Sequence, residues 1–245
     1  MAESNEIILK APVVADGETL KFHFKKQEDG KIIGHRIHVV NRIMEQGKEF
    51  YKVRLKTEYI EGDVVEETTI LEIIDVLKPI SRHTITKRKN GKLISETKMN
   101  YEGMDIPPNC CASTSSMGLY LRQASFTPKN MISLNILMMD QSFKLNAITA
   151  KEKEVVTVPA GTFECHKVEL TPDIGSMMDQ LPAGFHFPPG FYTIAQRLIS
   201  RFIPSIYNWY TVKAPHHSVK YEGVGYSSSS LLKGEAIIEE LISIE

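Results

Sequence analysis

Cys165, His166, His216 and His217 are the side chains in this sequence best suited to metal or nucleophile chemistry. They lie on two segments that read as strands. One is Val158-Pro-Ala-Gly-Thr-Phe-Glu-Cys-His-Lys-Val168, the other Tyr207-Asn-Trp-Tyr-Thr-Val-Lys-Ala-Pro-His-His217. If those strands pair, the four residues share a neighbourhood. A zinc ion needs three or four such ligands on one side. Alternation along an extended chain sends Cys165 and His166 to opposite faces, and likewise His216 and His217. At most half the set then points one way, so no metal site is expected. A Cys165–His nucleophile pair lacks a third residue to orient the base. The plainer reading is a set of solvated histidines on a strand edge.

The remaining candidates reduce further. His23, between Phe22 and Phe24, is expected to face solvent. His35 interrupts an apolar face and reads as a core histidine, and His83 sits in a polar strand. Glu66-Glu67 and Glu239-Glu240 read as solvated charge. There is no HExxH, no Walker loop, no GxGxxG and no GxSxG, so no cofactor is expected. The three cysteines are too few for a disulfide framework, and Cys110 and Cys111 are adjacent.

The elements that must position these residues are mostly strands. Leu20, Phe22 and Phe24 alternate with Lys21, His23 and Lys25. Gly30 and Gly47 mark turns. Between them Ile33, Ile37, Val39 and Ile43 are expected to share the apolar face, with Arg36, His38 and Arg42 opposite. Tyr51, Val53, Leu55, Thr57 and Tyr59 alternate cleanly. Val64 to Val76 reads as a further strand, and Pro79 as its end or an edge. Asn90-Gly91 is the strongest hairpin signal in the chain. Ser113 to Ser116 is placed to cap a short helix reaching Ser125. Met131–Met139, 142–149 and 155–158 read as strands. In Val-Pro-Ala-Gly-Thr-Phe, Pro159 and Gly161 read as a turn. The apolar phase slips soon after, which predicts a β-bulge near His166. Residues 235–245 fit strand or helix equally.

The longest interruption runs from about Asp173 to Asn208. Within it Phe191, Ile194, Ala195, Leu198, Ile199, Phe202 and Ile203 make one helical stripe over 190–203. Pro189 precedes the stripe and Pro204 ends it. This excursion is expected to be a loop-helix lid on a sheet, covering either the protein's own core or an apolar ligand. In the ligand case Phe185, Phe187, Phe191, Ile194, Leu198, Phe202 and Trp209 would line the site.

The chain has 245 residues, a formal net charge of −1 and 24% charged residues. That length can bury a full core in one β-rich domain spanning 1–245. The charge gives no electrostatic basis for nucleic-acid binding, and no stretch is apolar enough to span a bilayer. The first residues lack the basic start and apolar run of a signal peptide. Either the protein is cytoplasmic, or an export signal ahead of Met1 has been removed and it belongs to the periplasm or cell envelope.

Several segments occur in an order that resembles the DUF3108-like family of uncharacterised bacterial proteins. They are Leu77-Lys-Pro-Ile80 before a hairpin, Leu119-Tyr-Leu-Arg122, Val156-Thr-Val-Pro-Ala-Gly-Thr-Phe163 with Lys167-Val-Glu-Leu170, Trp209-Tyr210, Ala214-Pro-His216 and Val219-Lys-Tyr221. The resemblance runs from about residue 15 to the end. It implies a half-barrel similar to lipoprotein carriers, with a groove for acyl chains or another apolar ligand. It implies no catalytic residues.

The expected fold is therefore mainly β: a curved antiparallel sheet, half-barrel or open barrel, with the 190–203 helix and a short 116–125 helix on its concave face. The leading functional expectation is non-enzymatic binding of an apolar, lipid-like molecule. One alternative is an enzyme of unknown class using Cys165, His216 and His217. Another is a cell-envelope interaction or assembly protein, which predicts an exposed apolar patch.

Overall fold

The computed structural model describes residues 7–128, 130–138, 141–173, 206–224 and 236–245. Its strands are β1 (Glu18–Lys26), β2 (Ile32–Glu45), β3 (Lys48–Tyr59), β4 (Asp63–Ile73), β5 (Leu77–Arg88), β6 (Leu93–Asn100), β7 (Cys110–Cys111), β8 (Met131–Met138), β9 (Gln141–Val158), β10 (Gly161–Pro172), β11 (Ile206–Thr211), β12 (Ser218–Val224) and β13 (Ala236–Ile244). One α-helix, α1 (Thr114–Leu121), separates β7 from β8. The strands form a single sheet in the order β6-β5-β4-β3-β2-β1-β13-β12-β11-β10-β9-β8-β7. All pairings are antiparallel except β7 with β8. The C-terminal segment, ambiguous in sequence, is the strand that joins the two halves, pairing with β1 on one side and β12 on the other.

The sheet curves around α1. Val40 of β2, Leu71 of β4, Leu134 of β8, Leu170 of β10 and Tyr210 of β11 all belong to one buried cluster with Leu119, Tyr120 and Leu121. Strands so far apart in sheet order can meet one short helix only if the sheet rolls up around it. Ser113 caps α1 in a capping box with Ser116, where the helix starts slightly earlier than the sequence suggests. The Tyr120 hydroxyl donates to Leu77 O at 2.7 Å, tethering the helix to β5. The N-terminal segment closes part of the same interior. There Val14 N–H donates to the Tyr51 hydroxyl, which in turn donates to Pro12 O.

The hairpin expectations hold. Gly30, Gly47 and Gly91 take φ of 70°, 76° and 82°, the left-handed region where a Cβ is costly. The register of β10 against β9 shifts between His166 and Val168, where the bulge was expected. Pro79 falls inside β5, opposite Leu71 at a register shift. The pairing of β6 with β5 begins only at Ser81, so the proline sits where β5 has an unpaired side. Residues 142–149 and 155–158, read as separate strands, are parts of the single strand β9.

The facing of β2 is the reverse of the expectation. Gly34, His38 and Val40 are buried, whereas Ile37 is 38% exposed. The reason is polar burial. Arg36 reaches Glu239 through Nη1 at 2.7 Å, and Gly34 admits the Phe24 ring, which would lie 2.3 Å from an added Cβ. Hydrophobic period misleads where the inward face carries ion pairs. Several charge assignments change as well. His23 is buried against Glu240 at 3.0 Å rather than facing solvent, while His35 is exposed. Glu67 is buried against Arg82 at 2.7 Å. Glu239 is buried, and burial raises its pKa against the pull of Arg36.

Leu170 of β10 pairs with Ile206 of β11. The 173–205 connection therefore leaves and rejoins neighbouring antiparallel strands. The expected 190–203 helix, with Phe185, Phe187, Phe191, Ile194, Leu198 and Phe202, lies outside the described residues. No helix among the described residues is long and apolar enough to cross a membrane.

Candidate functional site

The interior holds a charged cluster built from parts of the chain far apart in sequence. Arg122 is the C-cap of α1, its backbone N–H donating to Leu119 O and Tyr120 O. The cap fixes where its side chain leaves the helix. Glu18 opens β1 and meets it, Nη2 to Oε1, at 2.7 Å, with the two side chains 4% and 6% exposed. His217 Nε2 lies 3.0 Å from the other carboxylate oxygen of Glu18. A carboxylate only accepts, so Nε2 carries the proton. Burial opposes ionisation of Glu18, but hydrogen bonds from His217 and Arg122 outweigh it and hold the carboxyl down at about 2.

His38 lies inward on β2. Burial, then the charge of Arg122, lowers its pKa to about 4, against the smaller opposing pull of Glu18. It is therefore neutral at pH 7. Arg122 Nη1, His38 Nε2 and Glu18 Oε1 have no well-aligned hydrogen bond to the described residues.

An aromatic group adjoins this cluster, with Tyr210 near enough to Arg122 to feel its charge. After α1 the chain turns through Gln123 and Ala124, bonded to Tyr120 O and Leu121 O, and delivers Phe126. Phe126 stacks on His166 at 4.9 Å and Tyr210 at 5.4 Å, and meets His216 edge-on at 5.2 Å. Asn208 donates to the Tyr210 hydroxyl at 3.0 Å and accepts from Ser218 at 2.6 Å. Burial lowers the pKa of His166, helped by Lys153 and His216.

Of the sequence-derived candidates, the fold brings three histidines to this end and leaves the cysteine elsewhere. His216 has φ 56°, which breaks the extended geometry assumed for the His216–His217 pair. Both histidines consequently serve the same end: His216 against Phe126, His217 on Glu18. His216 Nδ1 donates to Thr211 O at 2.7 Å. Cys165 lies in a separate cluster with Val156, Trp209 and Leu241. Its thiol donates to Phe163 O at 3.7 Å, and burial pushes its pKa up to about 11. Such a thiol holds little thiolate at neutral pH, so it is a poor nucleophile. Among the described residues no group of three or more His, Cys, Asp or Glu is placed to hold a metal ion.

Trp209 is buried on the opposite side of β11 from Tyr210. Its indole N–H donates to Glu154 at 2.7 Å. Lys167 and Lys220 lie 4.9 and 4.8 Å from its ring centre. Glu18 and Arg122 escaped sequence reasoning. A lone acid before a strand and a lone base after a short helix carry no local pattern that joins them.

A pocket of about 260 Å³ opens elsewhere on the fold, between the β4–β5 connection and the segment before β7. Ile74, Val76, Leu77 and Pro79 face Met104, Ile106, Pro107 and Pro108 there, with Lys78, Asp105 and Asn109 as the polar members. Asn109 is already committed. Its side-chain oxygen accepts from Leu9 N–H, and its amide donates to Ile7 O and Ser133 O.

Fold and site define a class: an open, curved, largely antiparallel sheet rolled around the short helix α1, with interior ion pairs and an apolar pocket. No protein-family model matches the chain, and no curated protein matches it. Three solved structures overlay 98% of it. One is a candidate exported protein of YmcC-like fold from Bacteroides fragilis, 11% identical, covered in full, with a TM-score of 0.35. Another is a candidate lipoprotein from Parabacteroides distasonis, 11% identical, covered in full, at 0.39. The third is a β-barrel-like protein of the domain of unknown function DUF1849 from Brucella abortus, 9% identical, 99% covered, at 0.49. The fold rests on the chain's own strand pairings.

Proposed function

We propose that this protein binds an apolar, lipid-like molecule without transforming it, and that it works in the cell envelope. The observation that carries the binding reading is the pocket between Ile74–Pro79 and Met104–Asn109. It is lined mainly by aliphatic and proline side chains. Ile74 and Met104 keep 55% and 41% of their surface exposed at its edge. Apolar concave sites at the mouths of β-barrels are common ligand sites. At about 260 Å³ the pocket suits part of an acyl chain rather than a large rigid ligand. A second set of contacts is proposed from the connection between β10 and β11: Phe185, Phe187, Phe191, Ile194, Leu198 and Phe202, with Trp209. The resemblance to DUF3108-like proteins supports the half-barrel carrier reading and the envelope placement. The high pKa of Cys165 weighs against the enzyme alternative.

The test is native mass spectrometry of the purified protein with organic extraction, followed by titration with a fluorescent fatty acid. The expected result is a co-purifying lipid or saturable probe binding. Ile106→Asp and Phe202→Asp should each weaken the probe at least about tenfold while leaving the circular dichroism spectrum unchanged. A wild-type protein that carries nothing and binds no probe refutes the reading.

A further inference from the structure

The β6 edge of the sheet carries a self-complementary charge pattern. From Leu93 to Lys98 every residue is exposed, and Leu93 and Ile94 are 53% and 48% exposed. β6 pairs only with β5, so its other edge has no strand beside it among the described residues. The register shift against β5 lies near the hairpin end, and the pairing from Ser95 to Asn100 is regular and free of proline. An edge strand of this kind is a template for another strand.

We infer that this edge pairs with β6 of a second copy of the chain, antiparallel and centred on Thr97. Symmetry and charge together set the register. A two-fold axis normal to the sheet must pass through one residue, which then faces itself, because a pair offset by one would put side chains on opposite faces. Centring on Glu96 sets two glutamates against each other, and centring on Lys98 sets two lysines together. Centring on Ser95 brings Lys98 against Lys92, and centring on Ile94 runs the pairing off the start of β6 at Leu93 into the Asn90-Gly91 turn. Centring on Thr97 places Glu96 opposite Lys98 of the second copy, and Lys98 opposite its Glu96, with no like charges opposed. Within one chain Glu96 and Lys98 already lie on one face, 2.8 Å apart. His83 adds a second contact to Glu96 from β5, at 2.9 Å. The pairing converts one local ion pair per chain into two cross-strand pairs and extends the ladder from Ile94 to Asn100.

Analytical ultracentrifugation over a concentration series tests this, with oxidative cross-linking of Thr97→Cys as the geometric check. A residue facing itself across an antiparallel pair has Cα atoms about 4.5–5.5 Å apart, within disulfide reach. Cys110, Cys111 and Cys165 are buried and should stay out of the reaction. The expected result is a dimer that cross-links through Thr97→Cys. Ser95→Cys alone should cross-link far less, because Ser95 would face Met99. Glu96→Lys should weaken the dimer about tenfold, and Glu96→Lys with Lys98→Glu should restore it. Both positions are exposed, so folding is not at stake, and circular dichroism checks it. A monomer at every concentration overturns the inference. So does a dimer indifferent to Glu96→Lys, or equal cross-linking through Ser95→Cys.

Discussion

Mild acid should destabilise this protein through His38. The imidazole is buried on the inner face of β2, 8% exposed. The charges that bear on it are Arg122 at the end of α1, Glu18 at the start of β1 and Arg36 on its own strand. Burial, reinforced by Arg122, lowers its pKa from 6.5 to about 4. In the unfolded chain the ring takes up a proton near pH 6.5, whereas in the fold it does so only near pH 4. The unfolded state thus binds more protons across that window, and stability falls as the pH drops through it. Each pH unit within it is worth about 1.4 kcal/mol, so the loss between pH 7 and pH 4.5 is about 2 kcal/mol. His38→Leu removes the titrating group and puts an apolar side chain on an inward position. Urea denaturation at the two pH values measures the effect. The variant's stability should fall by about 2 kcal/mol less than the wild type's over this interval. Equal pH dependence in the two proteins would refute the reasoning, because it would mean that His38 does not resist protonation in the fold.

Glu18→Gln should cost about 3 kcal/mol at pH 7 by leaving buried Arg122 without its counter-charge, read from the denaturation midpoint. Because the Glu18 carboxyl is held at about 2, its own contribution is present above pH 4.5 and is lost as the pH falls toward 2. The variant should lack that part of the acid profile. Gly34→Ala should destabilise by about 1–3 kcal/mol or more, since its Cβ would meet the Phe24 ring and, at 2.7 Å, the backbone oxygen of Glu58; thermal melts check this. All three cysteines should resist an aromatic disulfide reagent at pH 8 until denaturant is added. Burial raises Cys110 to about 12 and Cys165 to about 11, and puts Cys111 well above the ordinary thiol value.

Much of the fold was legible in the sequence because its signals are local. Alternation on β3, the left-handed glycines of the hairpins, the serine cap of α1 and the bulge beside His166 all depend on residues close in the chain. So did the separation of Cys165 from His166, which one step along an extended strand enforces. The facing of β2 and the interior cluster were not legible. Glu18, Arg122 and His217 come from the first strand, the helix end and a late loop, and each alone reads as a surface charge. Burying an ion pair needs partners supplied by distant segments, and only the tertiary structure decides which segments meet. The same holds for Arg36 with Glu239 and for Glu67 with Arg82, where a charged residue on a strand pointed inward against the hydrophobic period. The sequence by itself determined a β-rich chain with a serine-capped short helix between Ser113 and Ser125 and a long, helix-patterned interruption between two strands. Only the rolled sheet decided that this helix would present Arg122 to Glu18, because curvature brings together strands that sequence order and sheet order keep far apart.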